Sequence, residues 1–290
     1  DNEHLTPYSY EVELDDNRMK AEYALSHQAA LYKITFEADK SAYIIVNSRN
    51  GSIHVGENFI SGHQRLSDNT NVYVYIEPQE KPLSTGILEN GIIEASKDNA
   101  EGINACAAWR FPEGTTTVSL RYGISFISEE QAEKNLRREL KDYNIEKLAQ
   151  TGREIWNEAL GRIKVEGGTE DDKIVLYSSF YRTFERPICM SEDGRYFSAF
   201  DGKVHDDTGT PFYTDDWIWD TYRAAHPLRT LIDQKKEEDI IASYLLMAEQ
   251  MGNMWMPTFP EITGDSRRMN SNHAVATIAD AATKGLNFNL

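Results

Sequence analysis

The sequence is short of cysteine, of positive charge and of long apolar runs, and each shortage removes a class of protein. Its two cysteines, Cys106 and Cys189, lie far apart in the chain, so they form neither a disulfide framework nor a zinc cluster and leave the redox compartment open. Acidic residues outnumber basic ones 47 to 30, for a net charge of −17. Nucleic acids and anionic membrane surfaces are both held by lysines and arginines, so neither is a favoured partner. Uncharged sugars fit the balance without being singled out by it. No apolar run approaches membrane-span length, and the N-terminal Asp1-Asn2-Glu3-His4 carries no signal-peptide pattern. A paired-histidine protease helix, a glycine-rich phosphate loop and a nucleophile elbow are missing too.

What is present is 290 residues, 40% hydrophobic and 27% charged, enough for two modest domains with ordinary cores. The first part alternates with strand period: Tyr8 to Leu14, Met19 to Ala24, Leu31 to Phe36, Ala42 to Asn47, Val72 to Ile76 and Thr115 to Phe126. Asn50-Gly51 reads as a hairpin turn between two of these runs, which explains it better than the sequon Asn50-Gly51-Ser52 does. Many short strands with such punctuation predict a sandwich.

The register changes at Ser128, where Ser128-Glu129-Glu130-Gln131 forms a capping box. Ala132, Leu136, Leu140, Ile145 and Leu148 then repeat at helical spacing to about Leu160, with a break near Asp142 to Asn144. A second capping box, Thr169 to Asp172, opens a helix that Pro187 ends. Further helices are expected from Trp217 to Ile232, from Lys235 to Met251 and from His273 to Lys284, with Gly252 and Gly285 as stops. Strands followed by helices alone indicate two domains: an α+β chain with a β-sandwich over 1–127, a helical linker over 128–160 and a helical domain from 161 to 290. Three helices with long loops make a poor closed core, so the helical domain reads as unfinished and the chain as trimmed.

The densest chemistry lies in Tyr213 to Pro227, where aromatics, carboxylates, Arg223 and His226 crowd together. An indole face covers the C–H face of a pyranose, a carboxylate accepts from adjacent hydroxyls, and arginine donates to oxygens. The bland alternatives are that Asp216 caps a helix, Asp220 favours its first turn, and Trp217 and Trp219 are core. His226, ahead of Pro227, reads as bonding to a neighbouring backbone group. A second loop, Met256 to Met269, carries Glu261 and Asp265 before Asn272-His273; paired carboxylates of this kind serve glycoside hydrolysis, or are merely solvated. The Asp-rich stretch Asp201 to Asp216 lacks the ligand ladder of a calcium-binding helix–loop–helix and reads as turns.

Taken in order, the blocks Tyr122 to Ser128, Glu130 to Leu136, Arg162 to Asp171, Phe200 to His205, Trp219 to Leu228 and Met269 to Gly285 resemble glycoside hydrolase family 92. These are bacterial exo-acting α-mannosidases. The resemblance covers nearly the whole chain, and Trp219 to Leu228 is its most specific part. It implies a β-sandwich, a helical linker and the first helices of an (α/α)6 barrel. It also implies calcium-dependent, inverting hydrolysis of terminal α-mannosides, a mannose-containing glycan as partner, and a secreted, periplasmic or cell-surface location. By the same resemblance Trp219 and Asp220 contact the terminal sugar with Arg223 in support, while Asp265 and His273 fall in the substrate-facing loop and helix. The family's acid and base sit in motifs expected beyond Leu290, and its calcium ligands match no residues here. The chain departs from the family at Asp265 (usually Glu), Ser271 (Gly), Ala276 (Pro) and Ala282 (Tyr). These departures leave room for a related sandwich-plus-barrel glycosidase or phosphorylase acting on another sugar, or for a catalytically silent carbohydrate-binding protein.

Overall fold

The computed structural model describes residues 2–14, 19–37 and 41–289; Asp1 and Leu290, the outer bounds of the expected domains, lie outside them. The chain divides into two compact units, 1–66 with 71–158 and 159–290 with 67–70. The two helices that follow the sheet fall in the first unit except for the last two residues of the second.

That unit is built on an antiparallel sheet of β1 (Glu3–Leu5), β2 (Ser9–Leu14), β3 (Met19–Leu25), β4 (Ala29–Thr35), β5 (Tyr43–Val55), β6 (Ile60–Arg65), β7 (Asn71–Pro78), β8 (Ser84–Glu89), β9 (Ile92–Glu94), β10 (Asn99–Arg110) and β11 (Thr117–Ser125). Their order across the sheet is β1-β2-β3-β4-β11-β7-β6-β5-β10-β8-β9. Strand alternation gives it two apolar faces. In β4, Ile34 packs against one core, with Trp109, Phe111, Val118 and Ile60, while Leu31, an odd three residues earlier and so on the other face, packs into another, with Ala132 and Leu136. Trp109 of β10 and Val118 of β11 share the first core although β5, β6 and β7 separate their strands. The sheet therefore folds over on itself, as a sandwich requires. Each fully buried large side chain there contributes roughly 1.5–3 kcal/mol of transfer free energy.

The second core is covered by α1 (Glu129–Glu139) and α2 (Ile145–Leu160). Ser128 caps α1 by accepting from the Gln131 N–H at 3.1 Å, and Asn144 Oδ1 accepts from the Lys147 N–H at 2.8 Å where α2 starts. Helix α1 lies directly on the β11 backbone, for a β-carbon at Gly123 would sit 2.2 Å from the Ala132 carbonyl oxygen.

Asn50-Gly51 is not a hairpin turn. Asn50 does adopt the positive φ (54°) that its type favours, but inside β5, which continues through it. Arg49 pairs with Asn104 and Gly51 with Gly102, so β10 holds both sides of the kink in register. A β-carbon at Gly51 would meet the His63 carbonyl oxygen at 1.9 Å, so the glycine admits β6. Asn90-Gly91, by contrast, is a two-residue hairpin turn with φ of 49° and 79°, joining Glu89 to Ile92 across β8 and β9.

In the second unit α3 (Glu170–Arg182) starts with a reciprocal capping box between Thr169 and Asp172. The long loop after it holds two small ladders, β12 (Ile188–Cys189) with β15 (Tyr213–Thr214) and β13 (Arg195–Ser198) with β14 (Lys203–Asp206). Then come α4 (Ile218–Thr221), α5 (Ala225–Ile232), α6 (Gln234–Gln250), the hairpin β16 (Pro260–Glu261) and β17 (Gly264–Asp265), and α7 (His273–Thr283). Helix α6 is the spine, burying Ile240, Ile241, Tyr244, Met247 and Ala248.

The single helix expected from Trp217 to Ile232 is broken between Thr221 and Ala225 into α4 and α5. Ten residues of continuous helix would hold positions 216 and 226 about 15 Å apart. Instead the Asp216 carboxylate lies 2.7 Å from His226 Nε2. The break folds the segment back so that both side chains reach one buried point.

Candidate functional site

Helix α4 is a single turn, pinned by fully buried Ile218. The turn leaves Trp219 47% exposed and Asp220 exposed, with no hydrogen-bond or ion-pair partner for the Asp220 carboxylate among the described residues. Just beyond it, Arg223 Nε donates to the Tyr222 hydroxyl at 2.9 Å. The Tyr222 ring in turn stacks on His273, with centroids 3.8 Å apart and planes within 5°. The structure thus brings Arg223 and His273 together through Tyr222, a residue that sequence reasoning had not singled out. Trp217 is otherwise engaged, with the Arg186 guanidinium 3.8 Å from its ring centroid and Phe259 stacked at 5.9 Å.

Asp265 organises its own loop. Its Oδ1 accepts from the Phe259 N–H at 2.8 Å and the Arg267 N–H at 3.2 Å, and its Oδ2 from the Thr258 N–H at 3.1 Å. Glu261 pairs with Arg268 at 3.3 Å. Neither carboxylate of this loop is therefore placed as a free acid or base. A cavity of about 520 Å³ opens beside the loop, lined by Trp255, Met256, Thr258, Asp265, Arg267 and Met269. The turn reading of the Asp-rich stretch holds at two points: Asp201 accepts from the Lys203 N–H and Asp207 from the Gly209 N–H.

Beneath α4 lies a charged cluster that contradicts two expectations. Asp216 is no helix cap; it is fully buried. Its Oδ1 accepts from the Thr221 hydroxyl at 2.8 Å, and its Oδ2 accepts from His226 Nε2 and from the Tyr244 hydroxyl. Among the described residues the His226 ring bonds to no backbone group; its Nδ1 lies 2.8 Å from Glu237 Oε1. Arg229 completes the set, donating to Glu237 Oε2 at 3.1 Å and to the Thr183 and Arg186 carbonyls at 3.2 Å each. A buried charge survives only when paired and hydrogen-bonded, and the partners decide the protonation states. Burial alone would lower the His226 pKa, but Asp216 and Glu237 outweigh it and push it up to about 9. Burial works against ionised Asp216 as well, yet His226, Tyr244 and Thr221 hold its carboxyl below the usual range. Tyr244 is raised well above its ordinary value by burial and by Asp216.

Glu237, Arg229 and Tyr244 escaped sequence reasoning, although one signal pointed to the first. Glu237 stands three, four and seven residues before Ile240, Ile241 and Tyr244, on the buried stripe of α6. A carboxylate on such a stripe demands a cationic partner.

No group of three or more His, Cys, Asp or Glu side chains among the described residues is arranged to hold a metal ion. These residues therefore do not fit a side-chain calcium cage.

Residues 131–290 match the glycosyl hydrolase family 92 catalytic domain, and residues 1–125 match that family's N-terminal domain. An inverting mannosidase of family GH92 from Bacteroides thetaiotaomicron is 29% identical and superposes with a TM-score of 0.89, over 98% of this chain and 40% of that one. A family GH92 α-mannosidase from the same organism, 23% identical, shares the fold with a TM-score of 0.90 over 98% of this chain and 41% of its own. An uncharacterized secreted glycosidase of Arthroderma benhamiae is 34% identical over 99 residues, 30% of this chain and 13% of that protein. The chain thus spans about two fifths of the solved mannosidases and a smaller share of the curated relative.

Proposed function

This chain belongs to glycosyl hydrolase family 92, and from that membership we propose that the full protein is an exo-acting α-mannosidase that removes terminal α-mannosides from glycans with inversion. In this reading the Trp219–Arg223 segment grips the terminal sugar. One observation carries it: an exposed indole and an unpartnered carboxylate stand side by side on a turn whose underside is fully buried. The indole receives the C–H face of the ring and Asp220 accepts from two neighbouring hydroxyls. Arg223 and His273, joined through Tyr222, donate at the rim. Asp265 acts on substrate by shaping the loop that borders the cavity.

Inversion needs an acid and a base about 6.5–9.5 Å apart across the sugar. We assign both to the part of the catalytic domain that follows Leu290, and any calcium to ligands there. The segment described here is then a sugar grip, and this chain alone binds without hydrolysing. A secreted, periplasmic or surface location belongs to the same proposal; the curated relative is a secreted glycosidase, and no helix among the described residues is long and apolar enough to cross a membrane.

The test is the full-length protein on an aryl α-mannoside, with and without a calcium chelator, following the anomer released by proton NMR. β-Mannose as first product, lost on chelation, is expected, and Asp220→Asn should raise KM. Release from α-glucosides but not α-mannosides would overturn the assignment.

A further inference from the structure

We propose that His226 is the positioning residue of the sugar grip: clamped between Asp216 and Glu237, it fixes Trp219 and Asp220 in place without touching sugar. The inference rests on reading Trp219 to Arg223 as that grip. A four-residue helix cannot hold itself together, because nucleation costs more than one turn of hydrogen bonds returns. Helix α4 is instead tied to one carboxylate: Asp216 precedes it, and the Thr221 hydroxyl within it donates to Asp216 Oδ1 at 2.8 Å. Asp216 is anchored in turn by two groups, His226 of α5 and Tyr244 of α6. Of these, only His226 reaches a second carboxylate, on α6, where Glu237 Oε1 lies 2.8 Å from Nδ1. The imidazole is thus a charged cross-brace between the turn that bears the grip and the spine of the unit, beside the direct hydroxyl bond of Tyr244.

The brace works only while both ring nitrogens carry protons. A neutral imidazole has one donor and one lone pair, so deprotonation would set a lone pair against a buried carboxylate oxygen on one side. The charged and titratable groups facing the ring are Asp216 from the loop ahead of α4, Arg229 from α5, and Glu237 and Tyr244 from α6. Burial opposes the doubly protonated ring, and the charges and hydrogen bonds of Asp216 and Glu237 settle the balance in its favour. Raising the pH should release the brace and loosen the grip while the acid and base keep their places.

The experiment uses the full-length protein and two variants. For wild type, KM for an aryl α-mannoside should rise about tenfold as pH passes the imidazole titration, with kcat moving less. In Glu237→Gln the amide oxygen still accepts from Nδ1, but a negative charge is gone, so the KM rise should begin on the order of one pH unit lower. His226→Gln should show the raised KM at every pH. A readout independent of sugar is tryptic cleavage after exposed Arg223, well below the melting temperature; His226→Gln should accelerate it already at neutral pH, and Glu237→Gln should show its rise with pH about one unit earlier than wild type. A folded Glu237→Gln whose KM profile and cleavage rate both match wild type would overturn the proposal. So would imidazole nitrogen shifts placing His226 in the neutral form at pH 7. If the full-length protein neither binds nor cleaves mannosides, the sugar reading fails, and the cleavage rates still decide the positioning role.

Discussion

Both units bury apolar side chains, but they differ in the charge they bury with them. The sheet unit closes over Trp109, Phe111, Ile60 and Val118, and its strong ion pairs, Glu77 with Arg121 and Arg137, keep partial contact with solvent. The helical unit places Asp216, His226, Arg229 and Glu237 at its centre. Apolar packing is non-directional and indifferent to protonation, whereas a buried ionic cluster exists only in one geometry and one set of charges. The sheet unit is therefore a scaffold, and the helical unit keeps its polar residues where a surface segment has to be held at one angle.

The sharpest way to break this contrast is to remove one member of each core. His226→Gln leaves Asp216 with only the Thr221 and Tyr244 hydroxyls and Glu237 with Arg229, and should cost about 3–5 kcal/mol. Trp109→Ala should cost a similar ~3–5 kcal/mol through the cavity it leaves. Their pH dependence separates them. The folded pKa of His226, about 9, lies above its ordinary 6.5, so its stabilisation is complete below 6.5 and fades as pH rises through 9. Thermal melts between these limits should show a declining midpoint in wild type and Trp109→Ala, and a flat one in His226→Gln. A slope that persists in His226→Gln would locate the titrating group elsewhere.

At the acid end the sign reverses. Asp216 is held below its ordinary 3.8, so its contribution is complete above that value and is lost as pH falls further; Asp216→Asn should flatten this limb. The smallest effect belongs to the surface: Thr169→Ala removes the reciprocal cap of α3 and should cost about 0.5–2 kcal/mol by chemical denaturation, independent of neutral pH.

Strand alternation, both helix starts at Ser128 and Thr169, and the break before α2 were legible because local chemistry and tertiary packing agree there. Two identical dipeptides show where legibility ends. Asn90-Gly91 turns a hairpin, while Asn50-Gly51 has the same backbone preference but is gripped by β10 and β6 and bends a strand. Local preference dictated a left-handed residue; pairing partners far along the chain dictated what it did. The site divides in the same way. The exposed residues Trp219, Asp220 and Arg223 were singled out by the family resemblance, since composition alone left them open between sugar contact and packing. The helix break near Tyr222 and the roles of Asp216 and His226 were not, because they follow from Glu237 and Tyr244 on another helix.

The buried cluster pairs two carboxylates with one imidazolium and one guanidinium, so it carries no net charge within a chain of −17. Mobile ions screen the outer surface over about 8 Å at physiological ionic strength but do not enter a closed interior. Moving the protein between dilute and saline surroundings should relax or tighten its acidic exterior while the angle at which Trp219 is presented stays the same. On the proposed reading, the sugar grip would keep one recognition geometry whatever the salinity of the medium.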